Sequence, residues 1–405
     1  VPLRRGEVPG DARGAPQEAA REGEGAEDRP ERIAAVGLVR IARLSAAALD
    51  VPLRKPFGIA RGAQEAVRNV LVTIELADGT RGYGEGAPFP AFNGETQEGT
   101  LAAIEAARPA VEAEDARRWR KIARGLKEAI GASGAGRCAI ETALLDALAR
   151  RAGISLHTFF GGAEDSLVTD VTIPTGTRAE AAEDAAAWQA AGFSRLKVKI
   201  GGGGVEEDLE RVLAIHDAAP RASLILDGNG GLTAEAALRI SHWLEARGIR
   251  PVLFEQPVAR DDWRGLAEVA RSCGFPVAAD ESAASTADVL RIAESRAAQV
   301  VNVKPMKAGL VEALEIALVA RAAGLRLMIG GMVEAKLAMS ASACLAAGLG
   351  GFDFVDLDTP LFLAENPFDG GYAQEGERLD LGAIGVGHGV VPRGLAGRES
   401  ARSGV

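Results

Sequence analysis

The sequence predicts an α/β protein: a modified TIM-type (β/α) barrel preceded by an α+β module. Two observations carry this prediction. From residue 167 onward, eight short runs rich in β-branched residues alternate with stretches rich in Ala, Leu and Glu. A polar or loop-forming residue closes each run, namely Thr172, Lys199, Asp227, Glu255, Asp280, Lys304, Gly331 and Asp356, and neighbours in that series stand 24 to 28 residues apart. That spacing is one β/α unit, and eight units close a parallel sheet into a barrel. No sequence motif repeats with the period, so it is structural. An open doubly wound sheet is the rival arrangement. The count of eight, and the polar residues recurring at one end of every run, favour closure.

Residues 1–35 mix Arg, Glu, Gly and Pro without an apolar period and read as a disordered tail. Order is expected from Gly37. Residues 39–53 are apolar, 70–76 alternate as a strand, Asp78-Gly79 supplies a turn, and 81–85 resume extended structure. A Gly/Pro-rich loop at 86–94 and helical regions at about 96–114 and 137–152 complete an α+β module over 36–160. The eight runs follow at 169–173, 195–200, 223–226, 252–254, 277–279, 300–303, 326–329 and 352–356, which places the barrel in 165–360. Residues 391–405 read as a second disordered tail.

The bulk properties narrow the class. The 405 residues are 47% hydrophobic and 25% charged, an ordinary globular composition. A net charge of −10 argues against a nucleic-acid surface, which needs excess Lys and Arg. Cys138, Cys273 and Cys344 lie far apart, fit no metal or disulfide spacing, and read as small apolar residues in a reducing compartment. The most apolar long stretch, 325–349, is broken by Glu334 and Lys336 and is not a membrane span. The opening residues carry no secretory-leader pattern. A cytoplasmic enzyme acting on a small molecule is the expectation, with self-association left open.

Barrel enzymes keep their chemistry at the C-terminal ends of the strands. Asp227, Glu255 and Asp280 occupy three successive ends, each directly after an apolar run. One acid in such a place caps the following helix. Three in consecutive units would repel one another unless a cation sat between them, and oxygen donors alone suit a hard ion such as Mg²⁺. Lysines flank the trio: Lys197 and Lys199 on the strand before it, Lys304 on the strand after. Residues two apart share one face of a strand, so Lys197 and Lys199 both face the barrel interior or mouth. Lysine beside other cations loses basicity and becomes a usable general base near neutral pH. Bases on opposite sides of one carbon are what a 1,1-proton transfer requires.

The set Lys197-x-Lys199, Asp227, Glu255, Asp280 and Lys304 resembles the muconate-lactonising subgroup of the enolase superfamily, across roughly residues 37–385. The resemblance implies that the N-terminal module is a capping domain, completed by 361–390. It implies one Mg²⁺ on Asp227, Glu255 and Asp280, stabilisation of an enediolate by that ion and Lys197, and Lys199 and Lys304 as the two bases. Asp356-x-Asp358 after the eighth run looks like the ammonium clamp of dipeptide epimerases. Two same-face carboxylates suit that task, although a helix cap and a turn before Pro360 would also use them. The segment 329–336, with Gly331 and Met332, is similar to a substrate-lining segment of those enzymes, and Thr172 to a substrate-contacting threonine. The segments 56–62 and 84–94 resemble their two specificity loops. On the first, Arg61 suits an acidic side chain equally as substrate or as partner within the cap.

The implied activity is therefore Mg²⁺-dependent epimerisation of a dipeptide at its C-terminal residue, with L-Ala-D/L-Glu as the favoured case and apolar side chains as the other. Muconate cycloisomerisation, or o-succinylbenzoate synthesis with N-acylamino acid racemisation, is the competing chemistry. Those substrates lack a free ammonium. A catalytically inactive barrel that only binds a ligand is the competing class, and retention of all three acids and all three lysines argues against it.

Overall fold

The computed structural model describes residues 37–59 and 62–393, with the backbone alone over 56–59 and 62–65. Residues 1–36 and 394–405 lie outside the described residues, and so does Arg61.

The N-terminal module is an antiparallel meander of β1 (Ile41–Ile59), β2 (Gly62–Leu76) and β3 (Arg81–Gly86), with β2 central. Gly79 takes a positive φ of 86° in the β2–β3 turn, where Leu76 N–H donates to Thr80 O. Helices Gln97–Val111, Trp119–Ile130 and Gly134–Ala152 pack against this sheet. The middle helix was not anticipated. It buries only Ile122, Ala123, Leu126 and Ile130, and its many Arg, Lys and Glu residues obscure that helical spacing.

A ladder of small residues seats the last helix on β3. Gly82, Gly84 and Gly86 share one face of the strand, and they meet the backbone around Ala143, Ala139 and Ala135. Two strand residues advance about 6.6 Å and four helical residues about 6 Å, so glycines and alanines stay in step. The same helix also enters the barrel core, where Leu145 and Ala149 pack with Leu196 and Val198.

After β4 (Ser166–Val168) come eight parallel strands in sequential order. They are β5 (Val171–Ile173), β6 (Arg195–Lys199), β7 (Ser223–Asp227), β8 (Leu253–Glu255), β9 (Val277–Ala279), β10 (Val300–Val303), β11 (Arg326–Gly330) and β12 (Phe354–Asp356). All eight coincide with the predicted runs. The ring is nearly closed: Asp170, just before the first strand, donates its N–H to Val355 O of the last at 2.8 Å, and the open-sheet alternative falls. Successive strands are joined by helices, but among the described residues no α-helix follows β12. A 3₁₀ turn, Thr359–Phe362, leads instead to β13 (Phe368–Gly370), β14 (Ala373–Glu375), β15 (Arg378–Asp380) and β16 (Val390–Pro392). β15 pairs with both β14 and β4, and β16 pairs with β13, so regular structure continues past the expected boundary at 390.

Two buried acids tie the module to the rest of the chain. Glu85 on β3 accepts from Ala335 N–H at 2.8 Å, Ala338 N–H at 3.0 Å and Asn69 Nδ2 at 2.7 Å. It thereby caps the barrel helix Lys336–Leu349 from another part of the chain. Asp146 accepts from Tyr83 N–H at 3.0 Å, His388 N–H at 2.9 Å and Arg150 Nε at 2.7 Å, tying β3 to the C-terminal segment.

A Cβ at Gly84 would fall inside the contact distance of Ala139 O. Gly84→Ala is expected to lower stability by about 1–3 kcal/mol, read as a reduced urea midpoint. An unchanged midpoint would show that the helix is not held by this close approach.

Candidate active site

Barrel closure sets which residues oppose one another. Lys199 ends the second strand of the ring and Lys304 follows the sixth, four positions away among eight. They therefore rise from diametrically opposite walls. Asp227, Glu255 and Asp280 end the third, fourth and fifth strands between them. Asp356 and Asp358 stand at the eighth, across the ring from Glu255. A cavity of about 30 Å³ lies between the two lysines, on the side of Asp356 and Asp358. Of the residues singled out in the sequence, Thr172, Lys199, Lys304, Gly331, Met332, Asp356 and Asp358 line it. Phe89 and Phe92 of the segment 84–94 roof it, and Lys304 Nζ lies 5.2 Å from the Phe92 ring centroid.

Register places the acids side by side. Lys199 pairs with Asp227, and Asp227 with Glu255, at one level of the sheet. All three strand-end acids are fully buried, and ammonium groups relieve their repulsion. Lys199 Nζ stands 2.7 Å from Asp227 Oδ2, and Lys304 Nζ 2.7 Å from Asp280 Oδ2. Lys307 Nζ donates to Asp280 Oδ1 at 3.0 Å and to the carbonyls of Asp280 and Asn302 at 2.7 Å. Asn302 Nδ2 donates to Glu255 Oε1 at 2.7 Å, and Asn229 N–H to Asp227 Oδ1 at 3.0 Å.

Lys197 occupies a deeper place than expected beside the reacting carbon. Its register partner is Thr172, one level below Lys199, and it does not line the cavity. Its Nζ reaches across the barrel to Asp356 at 2.6 Å, Glu255 at 2.8 Å and Asp227 at 3.0 Å. Asp356 is thus shared between this lysine and the cavity. Asp358 is not on the strand. It stands at the start of the 3₁₀ turn with φ −93° and ψ −15°, and its Oδ2 accepts from Thr172 N–H at 2.6 Å. The turn, rather than strand alternation, brings its carboxylate alongside that of Asp356.

The electrostatics follow from burial set against pairing. Burial would raise the Asp227 carboxyl, but Lys197 and Lys199 outweigh it and hold it below the usual carboxylate range. Burial opposes Lys304 and Lys307 at Asp280 in the same way, and the result is about 2. Burial and then Asp227 push Glu255 up to about 7. Burial and then Asp280 push Glu281 up to about 8. The expected loss of lysine basicity is not what this arrangement produces at Lys304. Burial does pull its ammonium down, but Asp280 holds it above the usual lysine range. At Lys304 the attraction of Asp280 outweighs the repulsion of Lys197.

A hard cation fits the donor set. Asp227, Glu255 and Asp280 present only oxygen, and Oε2 of Glu255 has an ion pair but no hydrogen bond. Glu281 Oε2, next to Asp280 in the chain, has no hydrogen-bond partner either. Buried carboxylates outnumber the ammonium groups that reach them, which is a charge balance a divalent ion corrects.

Several residues of the site escaped the sequence reading, Glu281 and Thr359 among them. Lys307 follows Lys304 by one helical turn, and that spacing was a usable signal. Asn229 and Asn302 were not separable from loop and strand asparagines. Asp170 lies beneath Asp356, out of the cavity.

A capped parallel barrel with lysines on opposite walls and acids at three consecutive strand ends defines an enolase-type barrel. Residues 180–395 match the enolase C-terminal domain-like model, and 43–161 match the model of the mandelate racemase / muconate lactonizing enzyme N-terminal domain. The chain belongs to the mandelate racemase / muconate lactonizing enzyme family. It is 54% identical over 350 residues to a protein of Herpetosiphon aurantiacus named aromatic dipeptide epimerase, covering 86% of this chain and 98% of that one. The crystal structure of a mandelate racemase/muconate lactonizing protein from Herpetosiphon aurantiacus superposes with a TM-score of 0.86 at 54% identity, over 88% of this chain and 99% of that one. The dipeptide epimerase of Enterococcus faecalis, complexed with Mg and L-Leu-L-Tyr, superposes with a TM-score of 0.83 at 32% identity, over 87% and 99%.

Lys197 is the shared counter-ion of three buried carboxylates. Lys197→Met is expected to cost about 3–5 kcal/mol of folding stability, measured by urea denaturation. A loss within experimental error would show that the acids do not depend on it.

Proposed function

We propose that this protein is a Mg²⁺-dependent dipeptide epimerase. It inverts the α-carbon of the C-terminal residue by moving one proton between the two faces of that carbon. The observation that carries the reading is the pair of opposed lysines, Lys199 and Lys304, on the walls of a cavity that Asp356 and Asp358 also line. The named activities of the relatives, and the Mg and dipeptide of the Enterococcus faecalis complex, support it.

In this reading Asp227, Glu255 and Asp280 hold Mg²⁺, which when bound neutralises the substrate carboxylate and acidifies the neighbouring C–H. The substrate lies across the barrel, with its carboxylate toward Glu255 and its ammonium toward Asp356 and Asp358. Its α-carbon then falls between the two lysines. One lysine, uncharged, removes the α-proton from its own face; the other, charged, delivers a proton to the opposite face. Phe89 and Phe92 keep water from the exposed carbanionic carbon. Oδ1 of Asp358 is buried without a hydrogen-bond partner, and a free ammonium supplies one. Muconate, o-succinylbenzoate precursors and N-acylamino acids do not.

The side chain of the N-terminal residue is assigned from a second cavity. A space of about 500 Å³ opens beside β5, lined by Thr172, Pro174, Trp188, Leu361 and Phe362, with Arg54 and Lys55 also on its lining. Thr172 borders both cavities, and this one lies on the ammonium side of the ring. Trp188 and Phe362 stand edge to face at 6.3 Å between ring centroids. A bulky apolar residue at the amino end of the dipeptide suits that lining. The preference for L-Ala-D/L-Glu, drawn from the family's epimerases and from Arg61 as partner of the C-terminal γ-carboxylate, concerns the other side chain, and Arg61 lies outside the described residues. The three free cysteines accord with a cytoplasmic location.

Dipeptides and their N-acetyl forms incubated in D₂O will separate the readings. Free dipeptides should exchange and invert the C-terminal α-position, with activity abolished by a chelator and restored by Mg²⁺ or Mn²⁺. Faster turnover of N-acetyl amino acids would overturn the dipeptide reading. For the side chain, Trp188→Ala is expected to lower kcat/KM for L-Phe-L-Ala roughly tenfold or more while sparing L-Ala-L-Ala. An equal fall for both would place the aromatic side chain elsewhere.

A further inference from the structure

We propose that Asp170 is the third carboxylate of the ammonium site, a positioning residue that keeps Asp356 and Asp358 selective for a charged amine. The inference rests on the dipeptide reading above. Oxygens of Asp170, Asp356 and Asp358 all lie within 4.8 Å of one another, and all three side chains are buried. Two of the three have a fixed donor: Lys197 on Asp356 and the Thr172 N–H on Asp358, both at 2.6 Å. Neither oxygen of Asp170 has a hydrogen-bond partner, and neither does Oδ1 of Asp358. A fully buried carboxylate without donors is costly. A cation brought to the neighbouring Asp356 and Asp358 would lie close enough to offset that cost.

The backbone holds Asp170 in place. Its N–H donates to Val355 O across the barrel seam, and Thr169 Oγ1 beside it accepts from Leu357 N–H at 2.9 Å. The residue therefore sits between the first and last strands, beneath the turn that presents Asp358. Thr172, two residues on, points the same way one level higher and lines the cavity.

Charge explains what a third acid adds. Lys197 is divided among Asp227, Glu255 and Asp356, so much of the negative charge of Asp356 is already answered. With only Asp356 and Asp358, the site would present little net charge to a substrate ammonium. Burial, and then Asp356 beside it, holds the Asp170 carboxyl well above the usual carboxylate range; an ammonium arriving next to it favours the charged form, which then adds negative charge where water does not screen it. An inorganic cation on the same three carboxylates is the competing occupant.

The test compares Asp170→Asn with the wild type, both as full-length Mg²⁺-loaded enzyme. Substrates are a free dipeptide and its N-acetyl form, and inversion is followed by polarimetry. The expected result is a KM for the free dipeptide raised roughly tenfold with kcat largely kept, and little change for the N-acetyl form, so that selectivity for the free amine collapses. Asp170→Glu should recover part of it. Should Asp170→Asn not accumulate as folded protein, Asp170→Ser is read in the same way. An equal fall for both substrates would reduce Asp170 to a structural role and overturn the proposal. A second Mn²⁺ per chain, bound by the wild type and lost in Asp170→Asn, would also overturn it in favour of a metal. Wild type that prefers the N-acetyl form would remove the dipeptide reading and this inference together, whereas unchanged selectivity in Asp170→Asn removes only the inference.

Discussion

Burying like charges close together is the constraint on which the rest of this structure depends. Asp170, Asp227, Glu255, Asp280, Glu281, Glu334, Asp356 and Asp358 are all buried in the barrel interior and at the C-terminal ends of its strands. Such a crowd is unstable unless cations answer it. The chain supplies Lys197, Lys199, Lys304 and Lys307, each within 3.0 Å of at least one of these acids. The division of labour among them follows from depth. Lys197 sits low and serves acids on three strands. Lys307 stands behind Asp280 and holds its backbone as well as its carboxylate. Only Lys199 and Lys304 combine a carboxylate partner with a place on the cavity wall. Two of the groups that balance the charge are thus also the ones to which the proposed reaction assigns its proton transfers.

The module over the barrel serves that arrangement by closing it. Its sheet lies so near the helix Gly134–Ala152 that side chains on one face of β3 are reduced to hydrogen. The acid on the opposite face, Glu85, reaches the N-terminus of the barrel helix that follows the seventh strand. Register along β3 therefore fixes the approach of Phe89 and Phe92 to Lys304. A slip of one residue would put Glu85 against the helix and glycine against the barrel. Precision at the cavity roof is inherited from packing on the far face of β3.

The barrel was legible because its period and its polar strand ends are both local. Each acid or lysine stands at the end of its own run, and the order of the runs is the order of the walls. What could not be read depends on contacts made across the chain. Lys197 and Lys199 look equivalent two residues apart, and only the register with Thr172 and Asp227 separates a buried counter-ion from a cavity lysine. Asp358 shares the cavity with Asp356 because a 3₁₀ turn bends it there, which alternation along a strand does not describe. Asp170 and Glu85 act through partners about 185 and 250 residues distant. Nothing beside them in sequence announces those partners. The missed helix Trp119–Ile130 failed for a different reason: four buried positions among charged neighbours are a weak periodic signal.

The central claim is that Lys199 and Lys304 address opposite faces of one carbon. The most direct test is α-proton exchange in D₂O by Lys199→Ala and Lys304→Ala, each given the L,L and the L,D form of one dipeptide. Neither variant should invert the substrate. One should exchange the α-proton of the L,L form alone and the other that of the L,D form alone, each with retention. Exchange of the same form by both variants, or inversion by either at the wild-type rate, would contradict the account.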